Sequence, residues 1–563
     1  MKKLLIISLF LMLQVSAFSQ MAEYDQDYFI NPTDYEIVLA GSFAELRTTH
    51  FHAGIDIKPK SPTGIDTIRA AADGYVSRIK IQTGGYGQAL YIDHPNGYTT
   101  VYAHLKAFDE EISSYIDMVQ KKTRSYTLDI YPDSTRFYFQ KGQPIGLMGN
   151  TGRSFAKHLH FEIRETETEI PVNPGLFGVK PSDNRFPSLI SVDIHRLTPD
   201  YHEQQSNTYY PQKTADGNYT INGGKVSFPA WICGISTQSY DQMNGASNRN
   251  GVYYQYTYVD DSLVHAFVLD KVSFDESKFI NSHVDYKTRI EENRTCVRSY
   301  ILPGNELSVY KNVKDQGLIK LFKDVSRKVK IVLGDIEGNE TMVIFDIVRE
   351  EKEPEQKFHS YNQLIRYGTA DTVSAFGMQM IFPRKALDRD LYISYKKEND
   401  LYTVGNPSDV LFQSVALELP VGTIPDSLMK YVGIHQLNED EWINCGGIIK
   451  EGKIKTYTSS LGAFKIGLDT LPPTIVLSEN ILLAPGKKIK AKMDDNIAAG
   501  GIASEIKYEV LLDGQWLVAP YKIMTRQLSF TIPPDIEKGE HVLEIKCTDH
   551  HNNQTVLRRT FTI

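Results

Sequence analysis

His158-Leu-His-Phe-Glu-Ile163 alternates polar and apolar side chains, the pattern of a half-buried β-strand. Successive strand side chains point to opposite faces, so His158 and His160 share one face while Leu159 and Phe161 turn into a core. Two other stretches in the first third carry groups of the same kind, His52-Ala-Gly-Ile-Asp56 and Tyr102-Ala-His-Leu105, and a Gly-rich stretch, Gly146-Leu-Met-Gly-Asn-Thr-Gly152, lies just before His158. His52 and Asp56 are four apart in a run with strand-like alternation (Phe51, Ile55, Ile57), so they too can aim at one point. Imidazole and carboxylate are ligands that zinc accepts, and a catalytic zinc keeps three protein ligands and one open position. His52, Asp56, His104, His158 and His160 are enough for three ligands and two histidines beside the metal.

Working outward, residues 47–105 alternate short apolar runs with Gly-rich turns. Asp73-Gly74 and Asn96-Gly97 are hairpin signals, and the region reads as an antiparallel sheet. Residues 107–140 interrupt it. Phe108, Ile112, Tyr115, Ile116 and Val119 have helical spacing, Tyr126–Tyr131 and Phe137–Phe139 read as strands, and the sheet resumes at Lys141-Gly-Gln-Pro-Ile-Gly146. Tyr35–Ala40 reads as an entry strand. The glycines at 84, 85 and 87 lack a following helix and a Lys-Ser/Thr, so they read as a backbone turn rather than a phosphate loop.

The chain of 563 residues is too long for one core, and roughly three to four domains are expected. Tyr (33) and Phe (25) are abundant and long helical apolar patterns few, which favours β-rich units and a mainly β fold class. With 61 basic and 69 acidic residues the net charge is −8, which argues against nucleic acid or an anionic membrane as partner. Residues 1–19 read as a signal peptide: Lys2 and Lys3, an apolar run from Leu4 to Leu13 too short to span a bilayer, and Ala17-Phe-Ser19 as a cleavage site before Gln20. No membrane span is expected after its removal. Four cysteines make no disulfide framework; Cys233 and Cys296 share a unit and are candidates to pair, while Cys445 and Cys547 read as small buried residues.

Beyond about residue 185 two segments resemble each other. Asp335-Ile-Glu-Gly-Asn-Glu-Thr341 and Asp549-His-His-Asn-Asn-Gln-Thr555 each precede a last strand, and Val252–Asp260 matches Ile506–Asp513 in alternation. Both units read as Ig-like β-sandwiches, 186–349 with insertions and 472–563 at the C-terminus, flanking a third β-rich unit at 357–467. The acidic Glu350–Glu355 and Leu471-Pro-Pro473 separate them.

His52-x-Gly-Ile-Asp56, Ala72-Asp-Gly-Tyr-Val76, Gly85-Tyr-Gly87, Tyr102-Ala-His-Leu105, Gly142-Gln-Pro-Ile-Gly146, Gly149-Asn-Thr-Gly152 and His158-Leu-His-Phe-Glu-Ile163, in this order, resemble the lysostaphin-type zinc metalloendopeptidases over about residues 47–178. The resemblance implies a peptidase domain at 20–185, with the 107–140 insertion, that cuts peptide cross-links of bacterial peptidoglycan. It implies one zinc per chain held by His52, Asp56 and His160, and two catalytic histidines at His104 and His158. It further implies peptidoglycan peptide stems as partner and the periplasm or cell envelope of a bacterium as the place of action. In chemical terms, one imidazole can take a proton from water and an imidazolium can hold the oxyanion, and spacing leaves open which histidine does which. His50 reads as a rim residue and His94, at the Asn96-Gly97 hairpin, as structural. Two other readings stand beside the enzyme: a non-catalytic protein that binds peptidoglycan or activates another hydrolase, and a secreted protease acting on Gly-rich proteins.

Overall fold

The computed structural model describes residues 24–351, 360–478, 481–501, 503 and 505–563. The signal-peptide reading of 1–19 lies outside the described residues, as does the 352–355 part of the acidic separator. The chain is mainly β, in several sheets whose strand pairs are largely antiparallel.

The first sheet is built from β1 (Leu39–Gly41), β2 (Ile55–Ile57), β4 (Gly74–Ile81), β5 (Gln88–Asp93), β6 (Tyr98–Ala103), β8 (Leu128–Ile130) and β11 (Leu159–Glu165) in the order β1-β2-β11-β6-β5-β4-β8. β9 (Tyr138–Phe139) and β12 (Pro171–Val172) pair onto its sides. A small second sheet holds β3 (Thr67–Arg69), β10 (Pro144–Leu147) and β7 (Ala107–Phe108). The Asn96-Gly97 signal makes the β5–β6 turn, with Gly97 at φ +83° and His94 N–H donating to Tyr98 O at 2.9 Å. Asp73-Gly74 makes no hairpin: β3 pairs with β10, not with β4. The Asp73 carbonyl takes His94 Nδ1 at 2.8 Å and its carboxylate the Lys141 N–H at 2.6 Å, which ties the crossing from one sheet to the other. The entry strand is shorter than its sequence pattern, pairing only over Leu39–Gly41.

The insertion forms α1 (Glu110–Thr123). The Asp109 carboxylate caps the Glu111 N–H, Glu110 and Glu111 sit in the first turn, Lys121 and Lys122 in the last, and Arg124 ends the helix in the left-handed region. Ile112 and Ile116 are buried against the peptidase-side core, with Phe108, Tyr115 and Val119 packed beside them.

Residues 186–349 form two sheets. One contains Ser188–Leu197 beside Ile232–Tyr240; the other runs Glu340–Arg349, Ser326–Gly334, Tyr254–Val259, Ser262–Val268. Residues 472–563 repeat this order: Thr474–Val476 beside Lys488–Asp494, and Gln554–Thr562, Glu540–Thr548, Lys507–Leu512, Gln515–Trp516. The intervening unit has its own core around Met380, Leu417 and Phe464. The apolar core of the N-terminal sheet does not stop at residue 185. One cluster runs from Phe29 and Phe161 through Val192, Phe267 and Phe345 to Phe412. Cys233 and Cys296 are not bonded to each other; all four cysteines are free and buried. The Cys296 thiol donates to Asp193 Oδ2 at 3.2 Å instead, while Cys233 is part of the apolar cluster.

Candidate metal centre

β2 and β11 are antiparallel neighbours, and their register sets Asp56 directly opposite His160. Residues directly opposite on an antiparallel pair project to the same face. His52 arrives by another route than its spacing suggests. It lies outside β2, in a bend whose backbone exchanges hydrogen bonds with Ala44 and Glu45. Three atoms then form a nearly equilateral triangle: His52 Nε2 to His160 Nδ1 is 2.9 Å, and Asp56 Oδ1 is 3.0 Å from each. His52 and His160 are buried, and Asp56 largely so. Ligands about 2.0–2.1 Å from a tetrahedral zinc stand roughly 3.3 Å apart, close to these edges, and the N,N,O donor set is one that zinc takes.

Each of the three is held from behind. The His52 Nδ1–H donates to Ser42 O at 2.7 Å. Arg47 donates to Asp56 Oδ2 at 2.9 Å and leaves Oδ1 for the triangle. His160 Nε2 donates to Glu162 Oε1 at 2.7 Å, and Arg164 Nε donates to Glu162 Oε2 at 2.5 Å. A carboxylate behind a ligating histidine fixes its tautomer and raises its basicity. Glu162 is fully buried, which alone would raise its pKa, but Arg164 and His160 outweigh that and bring it down to about 2. Burial would lower His160, yet the Asp56 and Glu162 carboxylates push it up to about 9 in the metal-free chain. Burial likewise opposes the Asp56 charge, and His52, His158 and His160 hold its carboxyl well below the usual range. The same negative pull is available to a cation. Glu162 and Arg164 continue the His158, His160 face of β11, so i, i+2 spacing carried the signal for both. The sequence reading gave neither of them a role, nor Arg47.

His104 and His158 stand next to the triangle. Their rings are 4.7 Å apart, and the His104 ring is 5.9 Å from that of His160. His104 Nδ1 donates to Thr151 O at 2.8 Å and His158 Nδ1 to Ala156 O at 2.8 Å, so each presents Nε2 elsewhere. His158 Nε2 is 3.4 Å from Asp56 Oδ1. Burial, helped by His158 and His160, lowers His104 to about 3 and keeps its imidazole neutral. His104 sits at φ +60°, a strained region for a residue with a Cβ, at the end of β6. The Gly84–Gly87 and Gly149–Gly152 loops meet backbone to backbone beside it. A Cβ on Gly152 would lie 2.3 Å from Gly87 N and 2.5 Å from Gly85 O. His50 is exposed and outside the triangle, and His94 bonds Asp73 O and Thr100 Oγ1 away from it.

The later units reach this centre. Arg289 donates to Arg47 O at 3.0 Å, and Asn248 to Ala40 O at 3.1 Å. From the C-terminal unit, Lys522 Nζ donates to Asn150 O at 3.1 Å and Glu509 pairs with Arg124 of the insertion at 2.8 Å.

Residues 50–123 match the family described as Peptidase family M23, and residues 362–469 the family described as Zu5-like domain. Over 129 residues the chain is 38% identical to a DD-carboxypeptidase/endopeptidase Mpg of Neisseria meningitidis, covering 23% of each protein. It is 32% identical over 112 residues to an uncharacterized metalloprotease of Haemophilus influenzae, covering 20% of this chain and 18% of that one. The chain thus matches less than a quarter of the length of these relatives. The catalytic domain of the antimicrobial peptidase lysostaphin from Staphylococcus simulans aligns over 29% of this chain and 97% of its own, with 19% identity and a TM-score of 0.18. The N-terminal part of the chain is a lysostaphin-type M23 metallopeptidase domain.

Proposed function

We propose that this chain is a zinc-dependent endopeptidase of the bacterial cell envelope that hydrolyses peptide cross-links of peptidoglycan, with one zinc held by His52, Asp56 and His160. The observation that carries the reading is the triangle of ligand atoms 2.9–3.0 Å apart with two further imidazoles beside it. The named activity of the Neisseria relative supports the substrate class. Bound zinc supplies Lewis acidity toward the scissile carbonyl and the attacking water. The chain's own groups do the rest. His104 and His158, each fixed at Nδ1 by a backbone carbonyl, divide two jobs at Nε2: one takes a proton from the attacking water and the other donates to the developing oxyanion. Glu162 and Arg164 hold His160 in the tautomer that offers Nδ1. The Gly loops pack backbone to backbone beside His104 and so fix the segment whose Thr151 O holds its Nδ1. The matching strand orders of 186–349 and 472–563 support reading both as Ig-like sandwiches that position the peptidase. Metal analysis tests the reading: the full chain should carry one zinc, and His160→Ala should carry none while remaining folded. A folded His160→Ala protein with stoichiometric zinc would remove the assignment.

A further inference from the structure

The two repeated units share a second feature. In the first, carboxylate oxygens of Asp183, Asp241 and Asp335 all lie within 4.8 Å of one another; in the second, those of Asp469, Asp495 and Asp549 do the same. The positions correspond. Asp183 and Asp469 each stand five residues before the first strand of their unit, which begin at Ser188 and Thr474. Asp241 and Asp495 directly follow the strands Ile232–Tyr240 and Lys488–Asp494. Asp335 and Asp549 stand five before the last strands, which begin at Glu340 and Gln554. The loops that carry them have one geometry. Asn339 donates its N–H and Nδ2 to the two Asp335 oxygens at 2.9 and 2.8 Å; Asn553 does so to Asp549 at 2.8 and 2.7 Å.

In the first unit the cluster is incomplete as a hydrogen-bonded structure. Asp241 is 1% exposed and neither of its oxygens has a partner. Asp183 Oδ2 is also without one, while its Oδ1 accepts from the Asn244 and Arg185 backbones. Independently of the acids, Asn250 is 3% exposed and both atoms of its amide are unpartnered. It exchanges both backbone hydrogen bonds with Asp241 across an antiparallel bridge, which puts its side chain on the same face. The Arg185 guanidinium is turned to Gln242. A buried carboxylate with no donor costs its full desolvation, and three together repel. Burial first, then Asp335 and Asp183, push the Asp241 carboxyl up to about 7. Arg185 offsets this only in part, so the three carboxyls can be neutralised by a proton or by a cation, and the unpartnered oxygens of Asp241, Asp183 and Asn250 offer a cation an all-oxygen donor set.

We propose that the carboxylates of Asp183, Asp241 and Asp335 and the side-chain Oδ1 of Asn250 bind a calcium-class divalent cation. Calcium takes six to eight oxygens at about 2.4 Å, so oxygens of one shell stand no more than about 4.8 Å apart, and the three carboxylates fall within that bound. Zinc prefers nitrogen or sulfur, and magnesium keeps a tighter octahedron with several waters. The site lies at the junction of two units. The cavity beside it is walled by Leu39, Ser42 and Ile55 on the peptidase side and by Asp241, Tyr253 and Asp335 on the other. Ser42 is the residue whose carbonyl fixes His52, and Ile55 adjoins Asp56. The cation would thus clamp the 186–349 unit against the back of the zinc ligands.

The test is calcium titration of the metal-stripped full chain by calorimetry, with thermal unfolding followed with and without calcium, on wild type, Asp241→Asn and Asp335→Asn. The expected result is saturable calcium binding by wild type, with one equivalent fewer in either variant and a smaller rise in melting temperature on adding calcium. Asn is isosteric with Asp, and two variants guard against one that fails to fold. Wild type that binds no calcium, or variants that bind as many equivalents as wild type, would overturn the proposal; so would a site that takes magnesium or zinc in preference. Zinc content on the same preparations reads the peptidase centre separately, so either assignment can fail alone.

Discussion

Glu162→Gln isolates the support behind the metal centre. The carboxylate accepts from His160 Nε2 at 2.7 Å and from Arg164 Nε at 2.5 Å, with no exposure to water. Glutamine keeps the shape and one carbonyl oxygen. If that oxygen faces His160, its NH2 meets the Arg164 donors; if it faces Arg164, the NH2 meets the His160 N–H. One donor–donor contact is unavoidable. Arg164 then keeps Tyr86 Oη at 3.2 Å and a distant Glu169 at 3.9 Å. Removing one partner of a buried ion pair costs roughly 3–5 kcal/mol. Losing the group that orients a ligating histidine costs about 10–100-fold in metal affinity, or roughly 1.4–2.7 kcal/mol. The full-length variant should therefore bind zinc about 10–100-fold more weakly in competition with a chromophoric chelator. Its metal-free form should unfold at lower urea than wild type. An unchanged zinc Kd would refute the claim that Glu162 orients His160, whatever happens to stability.

His104→Ala and His158→Ala should each keep one zinc and lose about 10²–10⁴ in turnover of a cross-linked muropeptide; zinc loss in either would make that histidine a ligand. Gly152→Ala should destabilise the chain by about 2–5 kcal/mol in urea unfolding, because φ is +71° and the new Cβ meets backbone on the 85–87 loop; near-wild-type stability would mean the loops part freely. His265 and His283 are fully buried, and burial lowers each to about 3, helped by His283 in the first case and Arg298 in the second. Their folded pKa lies below the unfolded value of about 6.5, so their contribution is complete above pH about 6.5 and is lost as pH falls toward about 3, at up to roughly 1.4 kcal/mol per pH unit each. Urea midpoints should fall across that window, and His265→Leu should reduce the slope by up to roughly 1.4 kcal/mol per pH unit; a slope that His265→Leu leaves unchanged would contradict this.

What was legible in the sequence was local. The alternation in His158–Ile163 gives β11 and its two faces, Asn96-Gly97 gives a hairpin, and the spacing of Ile112 and Ile116 gives α1. The ordered Gly and His motifs brought His52, Asp56, His104, His158 and His160 together, as the structure does. What was not legible is pairing over distance. Asp73-Gly74 carries a hairpin composition, but β3 finds β10 75 to 80 residues on, and nothing local announces that partner. Cys233 and Cys296 share a unit without bonding, and the partner Cys296 does find, Asp193, lies about a hundred residues earlier in the chain. The core joining the N-terminal sheet to 186–349 is likewise a matter of faces meeting, which periodicity within one strand cannot show. His52 reached the right place for a reason its spacing did not supply, a bend held by Ala44 and Glu45.

The central claim is hydrolysis of peptidoglycan cross-links at the His52, Asp56, His160 centre. Mass spectrometry of muropeptides released from purified sacculi tests it most directly, using the zinc-loaded full chain beside the His160→Ala variant. The account predicts that wild type converts cross-linked dimers to monomers, with new peptide termini at one bond, and that the variant leaves the dimers intact. Dimers that persist with zinc-loaded wild type, or that disappear equally with His160→Ala, would contradict it.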